Sequence, residues 1–530
     1  MEPKAIAKRS GQYFFVRVFV TTLHVIGNFI IAKLFTVAGY GAFGFLTLIL
    51  TYGASLHLGL ENAFGKQYPV EIGKGKKSYA DNLRDSAFTF SMFMTFIVLI
   101  SIVLFALIFP HAEFEKRWAY IIIALTLPLQ MLVEYYRTFF RVTKEFGRIN
   151  IMELIFGVFE FFLRVAPVYY FILVYRNVAY ALIGLFIGLM LSFGISFLYA
   201  WIFAPERIRV RWSMPEVKYL FRLGIPIFIC FLMDSLFKNG DKFMAKAFFQ
   251  DEGMGYYLLG SQIAGLVYFV PFAIGFVIFP LMLQRYGETS DGTKVASYVF
   301  PPTSIIIQII LPLSVIMYLS LDFLIPAVLA KYILTIPTAK LLTAGIFFWC
   351  IVNMFTYFLI AMDDRLRMLI YQTSSLLLNL FLNWFFGVLL GMYIFGIGLG
   401  TVIAYFIYSL IILHYTISKY FGSVRDYALY YMKIVSIFIL VFLPVVLIDK
   451  FYLSQFWSEF FRSSAIFWFL RFIPSIKHIH TMFLLNGTGI YLLEIIIALI
   501  ITGAISLAIN RKKILSFNVD SSKTWSKPLL

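Results

Sequence analysis

The sequence predicts an all-α integral membrane protein with about fourteen transmembrane helices. Three observations carry this expectation. Of the 530 residues, 61% are hydrophobic and only 13% are charged, with a mean hydropathy of +0.87. Soluble chains hold about 25% charged residues. The apolar residues gather into fourteen runs of roughly 20 residues or more, each long enough to cross a hydrocarbon core about 30 Å thick. With the N-terminus placed in the cytoplasm, inner segments hold 29 Lys and Arg and outer segments hold 9. That bias sets the orientation, with both termini cytoplasmic.

The elements follow in order. The chain opens MEPKAIAKRSGQ and enters its first run at 12–36. That run is too long for a cleavable signal and no small-residue cleavage site follows it, so it is read as a retained span. A second run, 43–64, leads to the basic segment 65–85, and the third, 86–110, carries no charge. The fourth, 118–136, ends with Glu134, three residues before Arg137. The fifth, 149–174, holds Glu153, Glu160 and Arg164. The sixth, 179–203, stops at APERIRVRWSMPEVKYLFR (204–222), the natural boundary between two lobes. The seventh, 223–249, contains the charged stretch FLMDSLFKNGDKFMAKAFF. Runs 254–283, 296–319, 341–362, 368–390, 394–417 and 430–449 follow. Residues 450–486 are aromatic and apolar but include Glu459, Arg462 and Arg471. A span at 451–476 would send Arg511, Lys512 and Lys513 outside, so an outer interfacial helix is expected instead. The last run, 487–509, bears Glu494 and precedes a basic cytoplasmic tail.

An internal repeat organises these spans. GNFIIAK (27–33) matches GDKFMAK (240–246) at an offset of 213 residues. Gly27 falls on Gly240, Asn28 on Asp241, Ala32 on Ala245 and Lys33 on Lys246; one inserted residue then brings Gly41 onto Gly255. Six helices separate the copies, so both point the same way, as in parallel transporter repeats. The expected domains are a six-helix lobe at 1–210, a second at 211–420, and two extra helices within 421–530.

The repeat also sorts the intramembrane charges. Lys33 and Lys246 match at the outer ends of their helices and are read as snorkelling anchors. Asp234 aligns with Thr21 and Lys238 with Val25, so this pair belongs to the second lobe alone. Counting from Leu223, Asp234 lies ~17 Å and Lys238 ~23 Å into the membrane. Asp234 and Lys238 are spaced i,i+4, as are Lys238 and Lys242, with Asp241 between them. Arg17 adds a cation on the first span with no acid on its own helix. Two readings fit these residues. One is a basic, water-filled cavity between lobes that receives an anionic group through Arg17, Asp234, Lys238, Asp241 and Lys242; the other is ion pairs that fix helix packing. The cost of charge in a membrane favours the first. Glu160 and Arg164 are read as an intrahelical pair, while Glu134, Glu153, Glu160 and Arg164 are candidates for ion coupling. Gln372, Ser375, Asn379 and Asn383 form one polar stripe on the eleventh span, suited to sugar contact or to helix packing.

Other signals are weak. Cys230 and Cys350 lie in apolar runs and match no disulfide framework or metal spacing. GKGKK (73–77) lacks the end of a phosphate loop, and GIGLG (396–400) lacks dinucleotide spacing. His57, His478 and His480 form no metal grouping, and Asn486-Gly-Thr is a glycosylation sequon. No catalytic set, metal or cofactor is expected. The net charge of +17 follows from topology, so no nucleic-acid partner is expected.

Four segments together resemble a family. AKLFTVAGYGAF (32–43), GDKFMAKAFFQDEGMGYYLLG (240–260), PFAIGFVIFPLMLQRYG (271–287) and NLFLNWFFGVLLGMYIFGIGLGT (379–401) resemble the polysaccharide-exporting flippases. These are the Wzx-like branch of the multidrug/oligosaccharidyl-lipid/polysaccharide exporter superfamily. Asp241 stands at that group's acidic position on the seventh helix. The family's Gly-Ile-x-Gly turn departs here to Gly396-Ile397-Gly398-Leu399-Gly400. The resemblance implies two six-helix lobes, alternating access, and a lipid-linked oligosaccharide on a polyprenyl phosphate or pyrophosphate. It also implies the cell membrane as location, membrane lipids and glycan-assembly proteins as partners, and a proton or sodium ion as coupling ion. The last two helices would offer a groove for the lipid tail. The alternatives are a drug or cation antiporter of the same superfamily, and a membrane enzyme of glycan assembly such as a polymerase or ligase.

Overall fold

A computed structural model describes residues 3–451, apart from 56–57, 109–113 and 290. All its elements are helical, and no strand occurs among the described residues. The first half runs α1 (Pro3–Leu34), α2 (Val37–Ala54), α3 (Leu60–Gly73), α4 (Lys77–Ile108), α5 (Phe114–Val142), α6 (Phe146–Leu173) and α7 (Val178–Ile202). The second half runs α8 (Met214–Gly265), α9 (Phe269–Thr289), α10 (Phe300–Leu329), α11 (Ile336–Ala361), α12 (Arg365–Trp384), α13 (Tyr393–Thr416) and α14 (Val424–Phe451). Among the described residues, ten helical segments are long and apolar enough to cross a membrane. The chain is a multi-pass membrane protein.

Local sequence sets the breaks. Thr36 caps α2 by accepting from the Gly39 amide at 3.0 Å. Asn177 caps α7 through the Ala179 and Tyr180 amides at 2.9 and 3.1 Å. The expected second span, 43–64, is divided: α2 ends at Ala54 and α3 starts at Leu60. The cause is Gly59, whose φ of 81° lies in the left-handed region that glycine tolerates. The expected eighth span is also divided. Its first part continues α8 to Gly265, and α9 begins at Phe269 after a tight turn. α8 itself is interrupted at Gln250 (φ 57°, ψ −154°). The interfacial segment expected at 451–476 and the span expected at 487–509 lie outside the described residues.

The succession of elements occurs twice. α1 to α7 has one long helix, two shorter ones and four long ones. α8 up to Gln250, 251–265, α9, α10, α11, α12 and α13 give seven segments in succession again, though α9 (21 residues) and α12 (20 residues) are near equal in length. A reciprocal contact carries the offset of the sequence repeat. A Cβ on Gly41 would stand 1.7 Å from the Asp251 carbonyl oxygen, and one on Gly255 would stand 2.0 Å from that of Val37. Each glycine therefore admits the backbone of the other's preceding turn, and no larger residue fits either place.

The chain divides into two compact units: Met1–Lys238 with Phe249–Gly255, and Asn239–Phe248 with Tyr256–Leu530. In the first, the Phe64 and Tyr135 rings stack at 5.6 Å, and the Tyr135 hydroxyl donates to the Arg84 carbonyl at 2.7 Å. The linker after α7 is strapped to the start of α4 in the same unit. Arg84 reaches Asp81 (3.1 Å), Asp85 (2.9 Å) and Glu206 (2.6 Å), and the Arg211 amide donates to Thr89 at 2.8 Å. In the second unit, Trp349 packs between Tyr405 and Tyr408, and Phe438 of α14 stacks on Phe347 at 4.9 Å. Lys340 of α11 pairs with Asp322 of α10 and with Asp449 of α14 at 2.8 Å, which fastens α14 to this unit. Apolar residues such as Phe96, Ile100, Leu104 and Leu107 form an exposed stripe on α4, the face a membrane helix offers to lipid.

Candidate functional site

The first unit holds a polar seam between α1 and α6. Arg17 meets Glu153, His24 meets Glu160, and Asn28 meets Arg164. Each pair is separated by 136 or 140 residues along the chain if the His24–Arg164 contact is included, and the three principal pairs all by 136. A constant offset means that the two helices run parallel and in register, with seam positions seven and then four residues apart.

At one end of the seam, Arg17 Nη1 donates to Glu153 Oε2 at 3.2 Å. The other carboxylate oxygen of Glu153 lies 2.5 Å from Arg137 Nε, and Arg137 also donates to Glu134 on its own helix, α5. Glu153 is buried, with 1% of its side chain exposed, whereas 42% of Arg17 is exposed. Glu61 and Arg141 act on the same cluster, so three glutamates share three arginines here. The acid that Arg17 lacks on its own helix comes from α6.

At the other end, Glu160 pairs with Arg164, as the i,i+4 spacing predicts. Glu160 also bonds His24 Nδ1 at 3.0 Å, and Arg164 Nη2 donates to the Asn28 amide oxygen at 2.5 Å. The guanidinium lies over the Phe43 ring at 5.5 Å. Both charges are buried and each has several partners, the condition under which a buried ion pair is tolerated.

On α8, Lys238 Nζ donates to Asp234 Oδ2 at 2.6 Å, so this i,i+4 pair forms as well. About a third of each side chain remains exposed. One turn on, in the second unit, Lys242 donates to the Asn239 amide oxygen at 2.7 Å.

Asp241 is set differently. It is buried, and it accepts from the Tyr257 hydroxyl at 2.6 Å and from the Lys242 amide at 2.8 Å. Tyr257 continues to Thr401 at 3.4 Å, Thr401 donates to Asn383 Oδ1 at 3.4 Å, and Asn383 donates to Asn379 Oδ1 at 2.9 Å. Gln372 and Ser375, on the same α12 stripe, are buried too. The Ser375 hydroxyl and the Asn379 amide nitrogen have no hydrogen-bond partner. The result is a carboxylate at the end of a chain of hydroxyl and amide oxygens, the ligand type that hard cations take. No group of three or more His, Cys, Asp or Glu forms a metal cluster among the described residues.

The sequence spacing found the Glu160–Arg164 and Asp234–Lys238 pairs. It missed His24, Arg137, Tyr257 and Thr401. Tyr257 lies beyond the Gln250 break, so no helical spacing relates it to Asp241.

A family model described as polysaccharide biosynthesis protein matches residues 30–335, more than half of the chain. Among curated proteins, none matches this sequence. Solved structures share the fold at low identity. A lipid II flippase, MurJ, in an inward closed conformation aligns with a TM-score of 0.66 and 14% identity, over 95% of this chain and 99% of its own. A multidrug-resistance transporter of the MATE family in an inward-facing conformation aligns with a TM-score of 0.60 and 15% identity, over 80% of this chain and 98% of its own. A MOP superfamily transporter from Pyrococcus furiosus aligns with a TM-score of 0.56 and 16% identity, over 78% of this chain and 94% of its own. This chain belongs to the polysaccharide biosynthesis protein family and shares its fold with solved transporters of the MOP superfamily.

Proposed function

We propose that this protein flips a polyprenyl-(pyro)phosphate-linked oligosaccharide from the cytoplasmic to the outer leaflet of the cell membrane, by alternating access, for polysaccharide biosynthesis. The observation that carries this reading is the double hold on Glu153. If Arg17 leaves Glu153 for a phosphate, the buried carboxylate keeps Arg137 at 2.5 Å. Breaking a buried pair costs about 3–5 kcal/mol when one charge is orphaned, and here neither charge would be. Arg17 is also exposed enough to meet a ligand. Lys238 is a second exchangeable cation, because a released Asp234 remains partly solvated. Arg164 is not exchangeable, since its departure would strand buried Glu160.

The coupling ion, a proton or sodium, fits Asp241 better than Glu134, Glu153 or Glu160. Each of those glutamates is paired with an arginine. Asp241 is bonded by a neutral hydroxyl and a backbone amide, so it can exchange a cation without breaking an arginine pair. The stripe Gln372, Ser375, Asn379 and Asn383 acts in this reading as the interior scaffold of that acid.

The test is translocation itself. Purified protein in vesicles should move a lipid-pyrophosphate oligosaccharide, added to one leaflet, into the other, read by loss or gain of protection from an impermeant glycosidase. Movement at the rate of protein-free vesicles, with correctly folded protein present, would overturn the proposal.

A further inference from the structure

On the second unit, residues of α12, α13, the turn after α13 and α14 line an open, groove-like cavity of about 590 Å³, a ligand-sized volume. One end is polar and basic. Arg367 Nη1 donates to the Tyr415 hydroxyl at 2.6 Å, and Lys419 Nζ donates to the same hydroxyl and to Asp364 Oδ2, both at 2.7 Å. Asp364 also accepts from Tyr420 at 2.9 Å and from Tyr415, so it balances Lys419 and is fully engaged. Arg367 donates to a neutral hydroxyl and feels Asp364 only at longer range, so further N–H donors remain for a ligand in the cavity. Beside it, Ser418 Oγ is buried with no hydrogen-bond partner. The other end is apolar: Leu410 and Ile411 of α13 line it, with the ring of Tyr371. From Ser418 back to Leu410 is about 12 Å along the helix, so the cavity runs from a charged rim into hydrocarbon depth.

We propose that this cavity is a site for an anionic phospholipid. The phosphodiester would accept from Arg367 and Ser418, and an acyl chain would lie along Leu410 and Ile411. A soluble phosphate leaves the apolar wall unused. A pyrophosphate brings more charge than Arg367 and Lys419 offset once Asp364 is counted against them. Arg367 and Lys419 line the cavity, the sign that favours acidic lipids beside a membrane span. The site is separate from the seam of Arg17 and from Asp241, and it does not depend on the transported substrate.

The full-length protein, purified in mild detergent, would be titrated with phosphatidylglycerol, phosphatidylcholine, inorganic phosphate and a polyprenyl pyrophosphate, with bound species read by native mass spectrometry. Phosphatidylglycerol should bind about fivefold more tightly than phosphatidylcholine, and Arg367→Gln should erase that difference. Ile411→Trp, which fills the apolar end and leaves the charges, should weaken both lipids, and it serves as the second variant if Arg367→Gln folds poorly. Equal retention of the two lipids, binding of inorganic phosphate in place of lipid, or stronger retention of the polyprenyl pyrophosphate lost on Arg367→Gln would each overturn the proposal.

Discussion

The two halves of this chain solve one problem in opposite ways. Asn28 and Asp241 occupy matching places in the repeat, beside Gly27 and Gly240, which press on α6 and α12. In the first unit the α1 residue is a neutral amide, and the facing helix supplies the charges, Glu160 and Arg164. In the second unit the α8 residue is the charge, and neutral groups follow it: the Tyr257 hydroxyl, Thr401 of α13 and the amides Asn383 and Asn379 of α12. The first arrangement is closed, because each ion has a counter-ion. In the second the carboxylate is hydrogen-bonded by a neutral hydroxyl and a backbone amide, with Lys242 as its nearby cation and no arginine bound to it. Under the proposed function, the difference separates a structural pair from an exchangeable acid.

The sharpest way to break this contrast is to orphan each charge. Arg164→Ala should destabilise the protein by about 3–5 kcal/mol, read as loss of folded protein and a lower melting temperature in detergent. Adding Glu160→Gln should recover most of the loss, since the stranded acid is gone. Asp241→Asn should behave otherwise. The amide keeps an acceptor for Tyr257, so melting should change by less than about 1 kcal/mol. Transport driven by an ion gradient should nonetheless fall to background. A wild-type response to the gradient in Asp241→Asn would end the distinction between the two clusters.

A smaller effect is expected at Tyr257→Phe, which removes one hydroxyl from a buried acid and should cost about 1–3 kcal/mol. The smallest concerns the strap between α7 and α8. The Lys77 hydrogen bond to Glu206, with that of Arg84, holds the Glu206 carboxyl below the usual range despite partial burial. A depressed folded-state pKa gives stability that is present above the unfolded carboxyl value of about 4.3 and is lost as pH falls through the folded value. Glu206→Gln should therefore lower the melting temperature slightly at neutral pH, with the gap to wild type closing as pH falls below about 4.3.

Much of this was legible in the sequence, for identifiable reasons. Helical i,i+4 spacing gave Glu160–Arg164 and Asp234–Lys238, and the repeat gave the match of Asn28 with Asp241. The apolar runs gave the class of fold. What stayed hidden depends on distant segments. Glu153 is buried beneath Arg17 only because α1 and α6 pack in register, 136 residues apart. Tyr257 and Thr401 reach Asp241 through the Gln250 break and through α13, which no local period encodes. The division of the second span depends on a backbone state at Gly59 that hydropathy does not register. His24 escaped notice because a lone histidine in an apolar run has no partner at helical spacing.

The central claim is that Arg17 is the cation released to the cargo's phosphate. Its most direct measurement compares wild type with Arg17→Gln in the vesicle translocation assay, beside melting curves of both proteins. The expected result is a translocation rate lower by about tenfold or more, the worth of one charge-assisted contact to phosphate, with the melting temperature unchanged because Glu153 keeps Arg137. Equal rates for the two proteins, or a loss of rate matched by a loss of folded protein, would contradict it.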